Sequence, residues 1–210
     1  MKLFDLDGTL IDSNHIWLDV DVEFLARRGK EPTEEYTEYV AHAIFPTAAR
    51  FTRDYYGLDE STDEIMADWL DLAHDAYAFR APLKPGVLDY LEQCRAQGEE
   101  LALFTASVPA LGRLAVERHG LERYFSALVF AQDLGLEKRR PESFRAALGR
   151  LGADAEQCTM FDDSPRNCAS AKAAGLTVVG VYDDFFAPVQ AQVRENSHAY
   201  IRSFEELLGR

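Results

Sequence analysis

Five short, nearly uninterrupted apolar runs constrain this chain most: "KLFDL" (2–6), "ELALFT" (100–105), "SALVFA" (126–131), "CTMFD" (158–162) and "TVVGV" (177–181). A strand with one wet face alternates apolar and polar residues, whereas a strand covered on both faces need not. Helix-like segments lie between these runs. One begins at Pro85, others cover 109–119 and 141–150, and a fourth follows Ser164-Pro165, where serine suits an N-cap and proline the first turn. This alternation predicts an α/β fold, a Rossmann-like open parallel sheet flanked by helices, with ligands bound at the carboxyl ends of its strands.

The stretch 15–80 breaks the alternation because it offers no strand. Ile16, Trp17, Val20 and Phe24 share one helical face, and Ile65, Trp69, Leu72, Ala76 and Phe79 recur at intervals of three and four. "APLKPG" (81–86) reads as the return to the sheet. The predicted organisation is an α/β core of residues 1–14 and 81–210 with an all-helical insertion over 15–80.

Charge narrows the partners. With 22 Lys and Arg against 36 Asp and Glu, the net charge of −14 argues against nucleic acid and anionic membranes, which basic patches would have to hold. No apolar run approaches the ~18 residues of a membrane span. The N-terminus enters a strand-like run directly, and the three cysteines show no paired spacing. A reduced, cytoplasmic protein is the expectation, as a monomer or weak homodimer.

Four of the strand-like runs end in, or are followed by, residues with chemical potential. Asp5 and Asp7 are two apart, so on a strand both would face one site, and Gly8 lets the chain turn there. Thr105, Ala106 and Ser107 follow the second run, offering hydroxyls and N–H groups to phosphate oxygens. Lys138 follows the third in "EKRRPESF", and Asp162 and Asp163 close the fourth in "FDDSPRN". Any one of these has a bland reading as a cap, a turn or a solvated run. Acids, hydroxyls and a lysine converging on one sheet edge do not.

In that order, "DLDGT", "LFTAS", "KRRP" and "MFDDSPRN" resemble the motifs of the haloacid dehalogenase superfamily, in particular its phosphoglycolate phosphatase and β-phosphoglucomutase group. The resemblance runs from Phe4 to about Val181. It implies an aspartate-nucleophile phosphatase with a helical cap, acting on a small phosphorylated metabolite. By this resemblance Asp5 is the nucleophile and Asp7 the general acid and base. Thr105 and Ala106 hold the phosphate, and Lys138 balances charge. Mg2+ is bound by Asp5, the Asp7 backbone carbonyl and Asp163, with Asp162 as a further or indirect ligand. Arg139 stands where the family commonly has proline, so Arg139 or Arg140 competes with Lys138 for the charge-balancing role.

Two other functions fit parts of the pattern. A sugar-phosphate mutase of the same superfamily is expected to carry a histidine twelve residues after the nucleophile, where this chain has Trp17. A phosphorylation-controlled signalling module would carry its acidic pair near the first strand and its acceptor on a middle strand, the reverse of the order here. Within 15–80, fifteen acidic residues face six basic ones, which makes any cation there notable. "FPTAARFTRDYY" concentrates such candidates, and Arg50 is expected to reach into the cleft and contact the substrate's leaving group when the helical insertion closes.

Overall fold

Why near-continuous apolar runs become strands is visible in the sheet of this computed structural model, which describes residues 1–41 and 43–209. Strands β1 (Lys2–Phe4), β2 (Leu101–Thr105), β3 (Ala127–Phe130), β4 (Thr159–Asp162), β5 (Thr177–Val181) and β6 (Ala199–Ile201) are all parallel, in the order β3-β2-β1-β4-β5-β6. Successive side chains enter opposite cores. Leu3, Phe104, Met160 and Val178 pack on one face, and Phe4, Leu103, Phe161 and Val179 on the other. Phe4 pairs in register with both Leu103 and Phe161, and its ring stacks on Phe161 with centroids 4.7 Å apart.

The chain leaves β1 in one direction for β2 and β3, then returns to the other side for β4 to β6. The reversal opens a crevice at the carboxyl end of β1, where open α/β sheets bind ligands. The expected Rossmann-like sheet is therefore present, with one strand more than the apolar runs announced. β6 is only three residues long and its first residue is exposed, so it carried no apolar signal.

Between β1 and β2 lie α1 (Asn14–Ala26), α2 (Glu34–Val40), α3 (Phe45–Tyr56) and α4 (Thr62–Asp75), followed by a π-helical turn, Ala76–Arg80. The two connections to this insertion run side by side: Asp12 N–H donates to Pro82 O and Lys84 N–H to Leu10 O, both at 2.9 Å. Helices α5 (Val87–Ala96), α6 (Pro109–Arg118), α7 (Pro141–Leu151), α8 (Pro165–Ala173) and α9 (Gln190–Glu195) complete the layers. Among the described residues no helix is long and apolar enough to cross a membrane. Cys94, Cys158 and Cys168 are buried and form no disulfide.

Three local expectations give way. β1 stops at Phe4, so Asp5 and Asp7 lie on the turn beyond it, with only Asp5 N–H continuing the ladder to Phe161 O at 3.0 Å. Ser164 occupies the N-cap of α8 without capping through its side chain, and its own N–H donates to Asp162 Oδ1 at 2.9 Å. Phe79, expected in the core, is 68% exposed. The π-turn explains this: Ala81 N–H bonds to Ala76 O, five residues back, and the slower rotation per residue turns Tyr77 inward in its place.

The return to the sheet depends on Gly86, whose φ is +77° and whose added Cβ would lie 2.5 Å from the Glu205 backbone nitrogen. Gly98 has a similar φ of +74° but open space around it. Gly98→Ala should therefore cost only the left-handed backbone term, about 1–2 kcal/mol. Gly86→Ala should cost about 1–3 kcal/mol more, because backbone has to move. Urea midpoints of the two variants measure the difference.

Candidate active site

The carboxyl ends of β1, β2 and β4 and the loop after β3 bring Asp5, Thr105, Asp162 and Lys138 together. Lys138 is 2% exposed, and its Nζ lies 2.9 Å from Asp5 Oδ2 and 2.7 Å from Asp162 Oδ2. Burial pulls the ammonium's pKa down, but the charges of Asp162 and Asp5 outweigh it, so the net shift is upward and Lys138 stays charged. Arg139 and Arg140 turn instead to Glu137, their Nε atoms 3.0 and 3.1 Å from Oε2. The cation among these carboxylates is the lysine.

One lysine does not balance the acids. Asp5, Asp162 and Asp163 are all buried, each with an oxygen within 4.8 Å of the others. Burial raises the Asp162 carboxyl to about 6 against the pull of Lys138. Asp163 is raised well above the ordinary range by burial and by the charges of Asp162, Asp5 and Asp183. Its own partners are neutral donors: Thr9 Oγ1 to Oδ1 and Asn14 Nδ2 to Oδ2, both at 2.8 Å. The cluster holds excess negative charge on oxygen atoms alone, the donor set of a hard divalent cation such as Mg2+. Asp162 already spends its oxygens on Lys138 and the Ser164 N–H, so Asp163 is the carboxylate with more unmet charge.

Gly8 makes this packing possible. With φ +71° it turns the chain beneath the carboxylates, and a Cβ there would lie 2.2 Å from Asp163 Oδ2. Lys84 secures the turn by donating to Gly8 O and Asp183 Oδ2, each at 2.7 Å.

Asp7 sits beside the cluster in different company. Its Oδ1 accepts from Ser13 Oγ and Tyr77 Oη, both at 2.6 Å, and Trp17 Nε1 donates to Tyr77 Oη at 3.0 Å. Burial raises the Asp7 carboxyl, the Ser13 and Tyr77 hydroxyls draw it back, and the Asp5 charge adds a smaller upward push. Thr105 is fully buried and accepts the Ser107 N–H at 3.0 Å. Ser107 Oγ, also buried, has no partner among the described residues, and Ala106 is exposed at the same edge.

A cleft of about 220 Å³ opens above these groups, lined on the sheet side by Asp5, Asp7, Thr105 and Lys138. The insertion supplies its roof, including Trp17, Asp21, Ile44, Phe45 and Trp69. Arg50 is exposed on α3 and is not among the lining residues, so the structure does not bring it to the cleft. The sequence reading missed Tyr77 and Asp21. Tyr77 stands four residues after the buried Ala73 and eight after Trp69, a helical spacing that offered a signal, whereas Asp21 is one acid among fifteen in the insertion. Trp17, read as helix core, borders the cleft.

Comparisons with known proteins agree with this geometry. The profile of the haloacid dehalogenase-like hydrolases matches residues 3–175. A phosphoglycolate phosphatase from Rhodospirillum rubrum is 33% identical over 84% of this chain and 77% of its own. Pyrophosphatase PpaX from Bacillus pumilus is 28% identical over 85% of this chain and 81% of its own. Among solved structures, CbbY from Rhodobacter sphaeroides in complex with xylulose-(1,5)bisphosphate superimposes with a TM-score of 0.80 at 22% identity, covering 99% of this chain and 95% of that one.

Asp21 leaves a thermodynamic signature. Burial raises its carboxyl to about 6, only partly offset by the Tyr36 hydroxyl. The folded state then holds a proton that the unfolded chain releases near pH 4, so stability falls as pH rises from about 4 to about 6. Asp21→Asn removes this loss. The variant should be more stable than wild type by about 1–3 kcal/mol at pH 8, with the gap closing below pH 4, as measured by urea unfolding across pH.

Proposed function

We propose, from the premise that the chain belongs to the haloacid dehalogenase-like hydrolases, that it is a Mg2+-dependent phosphomonoesterase working through an aspartyl-phosphate. The observation that carries this reading is the buried Asp5–Lys138–Asp162 group with Asp163 beside it, opening into a cleft. Relatives named for phosphoglycolate and for pyrophosphate support a small phosphorylated substrate. In this reading residues 15–80 are a cap domain over a core of 1–14 and 81–210.

An Asp5 oxygen attacks phosphorus and forms an O–P bond as the ester O–P bond breaks. The leaving oxygen takes its proton from Asp7. Water then attacks phosphorus, passing a proton to Asp7, and the Asp5–phosphate bond breaks to release phosphate. Thr105 Oγ1, the Ala106 N–H and the unpartnered Ser107 Oγ hold the non-bridging oxygens, and Lys138 keeps Asp5 oriented and offsets charge. Bringing a carboxylate to a phosphate dianion costs ~4 kcal/mol per charge pair at 4 Å and an effective dielectric near 20. Asp5, Asp163 and the Asp7 carbonyl, with Asp162 nearby, would hold Mg2+, which would supply the remaining positive charge. Tyr77 and Ser13 fix the oxygen of Asp7 that they contact, leaving the other oxygen for proton transfer.

Phosphate release from a generic aryl phosphate tests the reading. Chelation should abolish turnover and added Mg2+ restore it. Asp5→Asn should fall to background while remaining folded, and Asp7→Asn should lose ~10²–10⁴-fold. Lys138→Ala should be more damaging than Arg139→Ala or Arg140→Ala. Wild-type turnover by folded Asp5→Asn would exclude the aspartyl-phosphate.

A further inference from the structure

The roof of the cleft is chemically unusual for an enzyme that binds anions. Helix α1 presents Asn14, Trp17, Leu18 and Asp21 along one stripe, at the three- and four-residue spacing of a helical face. Its first member, Asn14, touches Asp163, and its last, Asp21, stands at the far end of the cleft. Asp21 Oδ1 accepts the Tyr36 hydroxyl at 2.8 Å. Among the described residues, neither Asp21 oxygen forms an ion pair with a Lys or Arg. A partly buried carboxylate without a cation is held at a cost, and its raised pKa is the symptom.

Aromatic rings line the same cleft, and Trp17 stands one helical turn before Asp21 on α1. The Phe45 ring centroid lies 5.8 Å from Trp17 and 5.4 Å from Trp69, and all three residues line the cavity. Trp69 is 2% exposed, and its indole N–H has no acceptor among the described residues. A carboxylate and indole and phenyl rings lining one cleft offer a recognition set for ammonium groups, attracted by both the charge and the ring quadrupoles. Among the described residues the arginine in the lining is Arg139, which follows β3 and is paired with Glu137, itself a lining residue.

Resting on the phosphomonoesterase reading above, we propose that the preferred substrates carry a cationic ammonium on a short leaving group, bound between Asp21 and the rings of Trp17, Phe45 and Trp69. Trp69 N–H serves an oxygen of the same leaving group, a hydroxyl or the ester oxygen. The helix sets the length. Trp17 reaches Tyr77 at the level of Asp7, and Asp21 lies one turn further, about 6 Å along the axis. That span suits an amino alcohol of a few carbons. An anionic leaving group would meet Asp21, which among the described residues has no Lys or Arg paired with it.

Three matched esters separate the charges: 3-aminopropyl phosphate, propyl phosphate and 3-phosphooxypropanoate. For wild type, kcat/KM should be at least about tenfold higher for the ammonium ester than for propyl phosphate, and lowest for the carboxylate ester. In Asp21→Asn the ammonium-to-propyl ratio should collapse to within about threefold. Calorimetric binding of the same esters to Asp5→Asn, which binds without turning over, should give the same ranking. A preference for the carboxylate ester, or an ammonium preference that survives in Asp21→Asn, overturns the inference and leaves the phosphatase reading standing. If no ester is hydrolysed, aryl phosphate included, yet calorimetry ranks the ammonium ester first, hydrolysis fails and the ammonium site stands. Absence of both turnover and ammonium-selective binding removes both.

Discussion

The ammonium of Lys138, enclosed between Asp5 and Asp162, fixes the relation of three chain segments far apart in sequence. Asp5 follows β1, Lys138 lies in the loop after β3, and Asp162 ends β4, so one cation ties the sheet's central crevice to a loop two strands away. Burying such a group costs desolvation that its attractions repay only in good geometry, and removing one partner leaves a stranded charge worth about 3–5 kcal/mol. The loop "EKRRP" is accordingly arranged around it. Glu137 gathers Arg139 and Arg140 outward, and Ser143 donates to Lys138 O at 3.2 Å from within α7. The lysine goes in because its neighbours are held out.

That arrangement explains what sequence could and could not convey. Asp5, Thr105, Lys138, Asp162 and Asp163 were legible because each ends an apolar run or follows it closely, and parallel sheets align such ends by construction. The choice of Lys138 over Arg139 was not legible, since three adjacent cations differ only in where Glu137 draws them. Tyr77 was missed for another reason. The expected period assigns the core to Ala76 and Phe79; Ala76 is buried as assigned, but across the π-turn Tyr77 is buried and Phe79 exposed, with no residue type to announce it. Arg50, a cation in an acidic segment, stands exposed on α3 and outside the cleft lining.

The carboxylates differ by neighbourhood more than by type. Asp162 faces a lysine, Asp163 faces neutral amide and hydroxyl donors, Asp7 faces two hydroxyls, and Asp21 faces one tyrosine. Only the first has its charge met by the protein. In the proposed reaction Mg2+ meets the charge at Asp163, and proton transfer uses the upward push on Asp7. Asp21, outside that chemistry, has no such use within the chain.

Helix α1 joins these environments mechanically. Asn14 contacts Asp163 at its first residue, Trp17 supports Tyr77 and through it Asp7 one turn on, and Asp21 borders the distal cleft after a second turn. The opposite face of the same helix buries Ile16, Val20 and Phe24 in the core that continues to Phe4 beneath the sheet edge. A rotation of α1 that moved Asp21 relative to the cleft would also drag Trp17 from Tyr77 and Asn14 from Asp163. In the proposed reaction, leaving-group recognition at Asp21, orientation of Asp7 and packing of Asp163 would therefore depend on one helix.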